Sequence, residues 1–111
     1  ASLATIKWHL NEVDEELIYY LTQADKFGRS TPQVQETWLD VGFYIYLNKS
    51  PYTAQVIKPL RAYFKRMMQE RNSVRHAAIA IVKRHNAQRI ACKWLRTYDF
   101  DTTWHQQQLC R

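Results

Sequence analysis

The sequence predicts an all-α protein, a single-domain bundle of four to five helices. Only two glycines and three prolines occur in 111 residues, so few positions interrupt long elements. Apolar residues make up 46% of the chain and recur three and four positions apart, as on one face of a helix. The length suits one hydrophobic core, and we therefore predict one domain over residues 1–111.

The first helix is predicted over about 11–27. Val13, Leu17 and Leu21 recur at helical spacing. Asn11 is the predicted N-terminal cap, and the acidic residues that follow it suit the positive end of the helix dipole. Residues 3–10 form either an earlier turn or part of the same helix.

The second helix is predicted over residues 31–48. Thr31 is the expected cap and Pro32 the first helical residue. Apolar side chains cover more than one face near its end, which predicts burial on two sides. The aromatic and β-branched run 41–47 is also compatible with a strand, but its continuity with the preceding helical spacing favours helix.

The third helix follows the Ser50-Pro51 pair, which repeats the cap-plus-proline signal. Pro59 is expected either to kink this segment or to mark the true start of the helix. Downstream of Pro59, apolar residues recur on one side and cations on the other, so the helix is amphipathic. We expect it to break near Asn72-Ser73.

The fourth helix is predicted to run without interruption over about 73–98. Two apolar lines along it imply two packing neighbours. Between these lines the continuous helix would place one band of cations, Arg75, Arg89, Lys93 and Arg96. The tail can add one short helix from Asp101.

Charge divides the chain into an acidic half, residues 1–48, and a basic half, residues 49–111. The acidic half carries three Lys/Arg against seven Asp/Glu, a net −4; the basic half carries thirteen against three, a net +10. Such asymmetry points to a polyanionic partner for the basic half.

Most of this positive charge lies between Lys58 and Arg96, where eleven cations accompany one acid, Glu70. Helices with solvated outer faces usually mix the two signs, and unneutralised cations repel each other. Phosphates would neutralise them, with counterion release as a driving force. The sequence therefore predicts a nucleic-acid-binding site that contacts the backbone of RNA or single-stranded DNA through Lys58, Arg61, Lys65, Arg66, Arg75, Lys83, Arg84, Arg89, Lys93 and Arg96.

Catalysis is not predicted, and neither a cofactor nor a metal is expected. His76 and His85 would point to opposite faces of one helix. His85 is expected to be packed or hydrogen-bonded. A small enzyme using the tail residues Asp99, Asp101 and His105 is the least favoured alternative. A protein-interaction module whose basic face docks on an acidic partner is the other alternative.

Two cysteines, Cys92 and Cys110, are too few for a disulfide framework, which favours free thiols in a reducing compartment. Cys92 is interpreted as a small core residue. No apolar run approaches the roughly 20 residues of a membrane span. These features predict a cytoplasmic protein without a membrane segment.

In size, helicity and the charge run from Lys58 to Arg96, the chain resembles the small helical subunits of CRISPR effector complexes. The resemblance implies a non-catalytic subunit that holds guide or displaced-strand backbone within a larger nucleoprotein assembly. It also implies protein partners, among them further copies of the same chain, with the acidic half as a candidate subunit contact.

Overall fold

The computed structural model describes residues 3–26, 31–98 and 103–110, and these residues form helices and no strand. The α-helices are, in chain order, α1 Leu3–His9, α2 Glu15–Lys26, α3 Pro32–Asn48, α4 Thr53–Gln69, α5 Ser73–Arg84, α6 Gln88–Leu95 and α7 Thr103–Leu109, with a 3-10 turn at Ser50–Tyr52 between α3 and α4. The predicted all-α class is confirmed, and the strand alternative for 41–47 is wrong.

The described residues contain seven α-helices, so the predicted count of four to five is too low. Asn11 and Asn86 have backbone φ angles of 59° and 53°, in the left-handed region that ends a right-handed helix. Asn11 separates α1 from α2. Asn86 divides the predicted continuous helix over 73–98 into α5 and α6.

Local capping sets where three of the helices begin. The Thr31 hydroxyl accepts a hydrogen bond from the Val34 amide at 3.2 Å, with Pro32 in the first turn, as predicted. The Asn72 side chain accepts from the Val74 amide at 2.9 Å, at the predicted break. The cap of α2 was mispredicted, because Asp14, and not Asn11, accepts from the first turn, through the Leu17 amide at 3.0 Å.

Helix α3 lies at the centre of the bundle and packs against α1, α2, α4 and α5. Its buried residues cover two faces, as the sequence predicts. The Trp38 ring stacks on Tyr63 of α4 with centroids 6.0 Å apart. Gly42 allows the close approach, because a Cβ at this position would lie 2.7 Å from Cδ1 of Leu60.

Helix α4 begins at Thr53 and contains Pro59 in its interior. The prediction that Pro59 marks the start of the helix is therefore wrong. The buried face of α4 is that of an amphipathic helix, as predicted, and comprises Val56, Leu60, Tyr63, Phe64, Met67 and Met68. This face positions the opposite, basic side of the helix towards solvent.

One hydrophobic core joins all seven helices, from Ala4 in α1 to Leu109 in α7. The Cα radius of gyration is 13.4 Å. That value is what a single compact domain of about 100 residues has, about 13 Å.

Candidate nucleic-acid interface

The outer side of α4 exposes three of the predicted site residues, Lys58, Arg61 and Lys65. They lie at positions i, i+3 and i+7, which places them along one side of the helix over about 10 Å of its length. The row is exposed because the opposite side of α4 is buried in the core. We call these three residues the α4 row.

The outer side of α6 and the residue that caps its C-terminus expose a second set of cations, Arg89, Lys93 and Arg96. Their spacing of four and three residues places them on one face of the short helix. The other side of α6 is held in the core by Ala91, Trp94 and Leu95. We call Arg89, Lys93 and Arg96 the α6 row.

Two aromatic rings bring the α4 row against the C-terminal end of α6. The guanidinium carbon of Arg61 lies 5.6 Å from the centroid of the Trp94 ring. The Nζ of Lys65 lies 5.6 Å from the centroid of the Tyr98 ring. The Tyr98 hydroxyl also donates a hydrogen bond to the backbone oxygen of Arg61, at 3.3 Å. These contacts restrict the two long cationic side chains before any ligand binds.

Burial raises the pKa of Tyr98 to about 12, against a smaller opposing effect of Arg61. The phenol therefore stays neutral at physiological pH and remains a hydrogen-bond donor. Trp94 and Tyr98 both pack on the aromatic core, with Phe64 5.9 and 6.2 Å from their respective centroids. The rings consequently support the cations and are not displayed as a platform for bases.

None of the six cations in the two rows forms an ion pair with a carboxylate among the described residues. Lys7, Arg84 and His85 do form ion pairs with described carboxylates. Six exposed cations without a carboxylate partner in residues 3–26, 31–98 and 103–110 give this part of the molecule a positive surface.

The remaining predicted site residues lie in different surroundings. Arg66 is exposed, with its guanidinium 5.0 Å from the ring centroid of Tyr63. Lys83 is exposed on α5. Arg75 is half-buried, 4.1 Å from the ring centroid of Trp104, and its Nε has no hydrogen-bond partner among the described residues.

The band predicted from Arg75, Arg89, Lys93 and Arg96 on one continuous helix is not formed. The turn at Asn86 places Arg75 on α5 and the other three on or beside α6. Arg75 instead covers Trp104 of α7. The prediction was wrong because it counted 100° per residue through Asn86, where the backbone leaves the helical conformation.

Arg84 takes part in an internal network centred on Asp40 of α3. Its Nη1 donates to both carboxylate oxygens, at 3.0 and 2.9 Å. His85 Nε2 lies 2.7 Å from one of these oxygens, and Trp8 Nε1 donates to the other at 3.3 Å. Arg84 is thereby partly neutralised, and the prediction of a hydrogen-bonded His85 is confirmed.

Burial acts to raise the pKa of Asp40, but the hydrogen bond from His85 and the charge of Arg84 outweigh it. The net result is a pKa below the ordinary value of 3.8. Sequence reasoning missed this network because its members lie 32 to 45 residues from Asp40 along the chain.

Cys92 and Cys110 form a disulfide, with Cα atoms 5.2 Å apart. The expectation of free thiols is wrong, and Cys92 is a buried residue that is also cross-linked. The bond ties the end of α7 to α6, the helix that carries the α6 row. The sequence signal was the presence of two cysteines, but their proximity depends on how α7 folds back.

The tail contributes a short helix, α7, as expected. His105 is buried, and its Nε2 lies 2.8 Å from the backbone oxygen of Met68, an ordinary packing role. Asp99 and Asp101 lie outside the described residues. Within the described residues no group of three or more His, Cys, Asp or Glu side chains could hold a metal ion.

No family model, no curated protein and no solved structure matches this chain. None of the helices among the described residues combines the length and apolar character needed to cross a bilayer.

Proposed function

We propose that this protein binds the sugar–phosphate backbone of RNA or single-stranded DNA through the α4 and α6 rows, without reading bases and without catalysis. The observation that carries the proposal is the set of six exposed cations that have no carboxylate partner among the described residues. The sugar–phosphate backbone of a nucleic acid is a polyanion that binds such clusters of Lys and Arg through charge neutralisation and counterion release.

The arrangement favours backbone contact over base readout. Sequence-specific proteins present base-reading side chains from a helix that enters a groove. Here the exposed sides of α4 and α6 present guanidinium and ammonium groups, and Arg forms bidentate contacts with phosphate. The nearby rings of Trp94 and Tyr98 are occupied by Arg61 and Lys65.

A place in a larger assembly completes the proposal. Like the small subunits of CRISPR effector complexes that the chain resembles, it would hold a strand while other subunits supply catalysis. Protein subunits, further copies of this chain included, are its expected partners. A cytoplasmic location stays a prediction, and the Cys92–Cys110 disulfide removes the free-thiol argument on which it rested.

Fluorescence anisotropy with labelled single-stranded RNA, single-stranded DNA and duplex, measured over a salt series, tests the proposal. Six phosphate contacts to a single strand predict a slope of log K against log salt of about −4. We expect single strands of different sequence to bind alike. No binding at low salt would overturn the proposal and favour an acidic protein as the partner of the basic half.

A matched pair of charge reversals locates the site. Lys58→Glu with Lys93→Glu reverses one cation in each row, and we expect at least a tenfold loss of affinity at low salt. Lys49→Glu with Arg71→Glu gives the same change in net charge at exposed positions outside the rows. Equal losses in the two variants would mean that only net charge matters and that the rows are not the site.

A further inference from the structure

The outward side of α1 carries an apolar stripe that no element of the described chain covers. Leu3, Ile6 and Leu10 are 58%, 45% and 62% exposed. They account for three of the five exposed large apolar residues among the described part of the chain. Their positions, i, i+3 and i+7, form one line along α1 and the turn that follows it. We call this line the α1 stripe.

The inward side of α1 already accounts for its attachment to the bundle. Ala4 and Thr5 are buried, and Trp8 packs edge-on against Tyr44 of α3 at a centroid distance of 5.6 Å. At 100° per residue these three positions point away from the α1 stripe. The stripe is therefore not needed to hold α1 in place, and its apolar character is unexplained by the fold.

Acidic side chains border the α1 stripe on one side. Lys7, which is adjacent to the stripe on the helix surface, has its Nζ 3.3, 3.1 and 3.7 Å from carboxylate oxygens of Glu12, Asp14 and Glu16. Those three side chains remain 50–59% exposed. Three carboxylates accompany one cation, and the border keeps a net negative charge.

We propose that the α1 stripe and its acidic border dock an amphipathic helix of a partner protein, one with a leucine- or isoleucine-rich line flanked by Lys or Arg. A line with i, i+3 and i+7 spacing matches the seam of two packed helices. The border selects for cations beside the partner's apolar line and against acids. This surface is separate from the two basic rows, and the inference is independent of nucleic-acid binding.

A second copy of the chain fits the surface less well than such a partner. Another α1 would bring the same negative border and repel the first. The α4 and α6 rows would bring cations, but neither helix has an exposed large apolar side chain among the described residues. The two required properties, an apolar line and flanking cations, therefore do not coincide on the described surface of this chain.

Titration with two synthetic helical peptides of about 20 residues tests the proposal on the full-length protein. Both peptides carry the same leucine line, one with flanking lysines and one with flanking glutamates. We expect saturable binding of the lysine peptide by anisotropy, and at least tenfold weaker binding of the glutamate peptide. Equal affinity for both, or no binding of the lysine peptide, would overturn the proposal.

Two variants tie the binding to the stripe. Ile6→Ser should weaken the lysine peptide at least tenfold, whereas Leu47→Ser, at a similarly exposed apolar position on α3, should leave its affinity unchanged. Unchanged binding by Ile6→Ser would overturn the assignment. Sedimentation velocity gives a further check. If the wild-type protein self-associates and Ile6→Ser abolishes this association, the occupant of the α1 stripe is a second copy of the chain, and the proposed partner helix is overturned. Nucleic-acid affinity should be the same in both variants.

Discussion

Two groups of cations in this protein differ in whether carboxylates neutralise them. One group lies near α1 and α3, and the other lies on α4 and α6. Lys7 lies close to three carboxylates and Arg84 to one, all supplied by the acidic half of the chain. The α4 and α6 rows have no such partner among the described residues. The difference shows that the fold neutralises Lys7 and Arg84 internally, whereas the cations of the two rows stay unpaired within the part of the chain that the structure describes.

The largest expected effect comes from removing the cross-link that holds α7 against α6. Cys110→Ser opens a loop of 18 residues in sequence separation. The loss of this constraint should lower the free energy of unfolding by about 3 kcal/mol, measured by urea denaturation. A reductant should lower the stability of the wild-type protein similarly and leave the variant unaffected. A variant as stable as the oxidised wild type would mean that the cross-link does not constrain α7.

A smaller loss of stability is expected when Asp40, the acceptor at the centre of the internal network, is removed. Asp40→Ala removes the acceptor for Trp8, Arg84 and His85, and should cost about 2 kcal/mol of unfolding free energy. Glu36→Ala, one turn earlier on α3, provides a control, because Glu36 forms no ion pair with any other described residue. Equal stability of the two variants would contradict a stabilising role for the network.

The lowered pKa of Asp40 makes the stability of the protein depend on pH. Its pKa is lower in the folded protein than the ordinary 3.8, so its ionised form is favoured by folding. The contribution of the ionised Asp40 to the free energy of unfolding is present in full at pH values above its ordinary pKa. It is lost as the pH falls through the lowered pKa of the folded protein. The stability difference between wild type and Asp40→Ala should therefore shrink as the pH drops below about 4.

The smallest effects sharpen the comparison between paired and unpaired cations. Lys58→Gln should change the unfolding free energy by less than about 0.5 kcal/mol, because the side chain is exposed and forms no ion pair within the described part of the chain. Lys7→Gln should destabilise the protein, and added salt should reduce that loss by screening the ion pairs. A stabilising Lys7→Gln would show that the internal pairing has no energetic role.

Local features of the fold were predictable where the interacting groups are close in sequence. The Thr31 cap, the Pro32 start and the break before Ser73 depend on contacts within three residues, and all three were predicted correctly. The left-handed turns at Asn11 and Asn86 were missed, because asparagine tolerates this conformation without requiring it. Missing them led to the wrong helix count and to the wrong band of cations.

In the candidate site, too, the features within one helix were predictable from the sequence, and the contacts between distant residues were not. The α4 row was predictable because its residues share one helix whose apolar face is evident from the pattern. The different environment of Arg75 and Arg84 was not, since Trp104 and Asp40 reach them from distant parts of the chain. The α1 stripe required the structure, because exposure of Leu3 or Ile6 depends on what packs against α1.

By itself the sequence determined the helical class, several helix starts and the concentration of positive charge in residues 49–111. These properties follow from local backbone preferences, apolar periodicity and residue identity. Only the tertiary structure decided that Asp40 neutralises Arg84, that Cys92 meets Cys110, and which apolar face of α1 stays uncovered by described residues. Those outcomes depend on distances between residues far apart in the chain, which packing of the whole bundle sets.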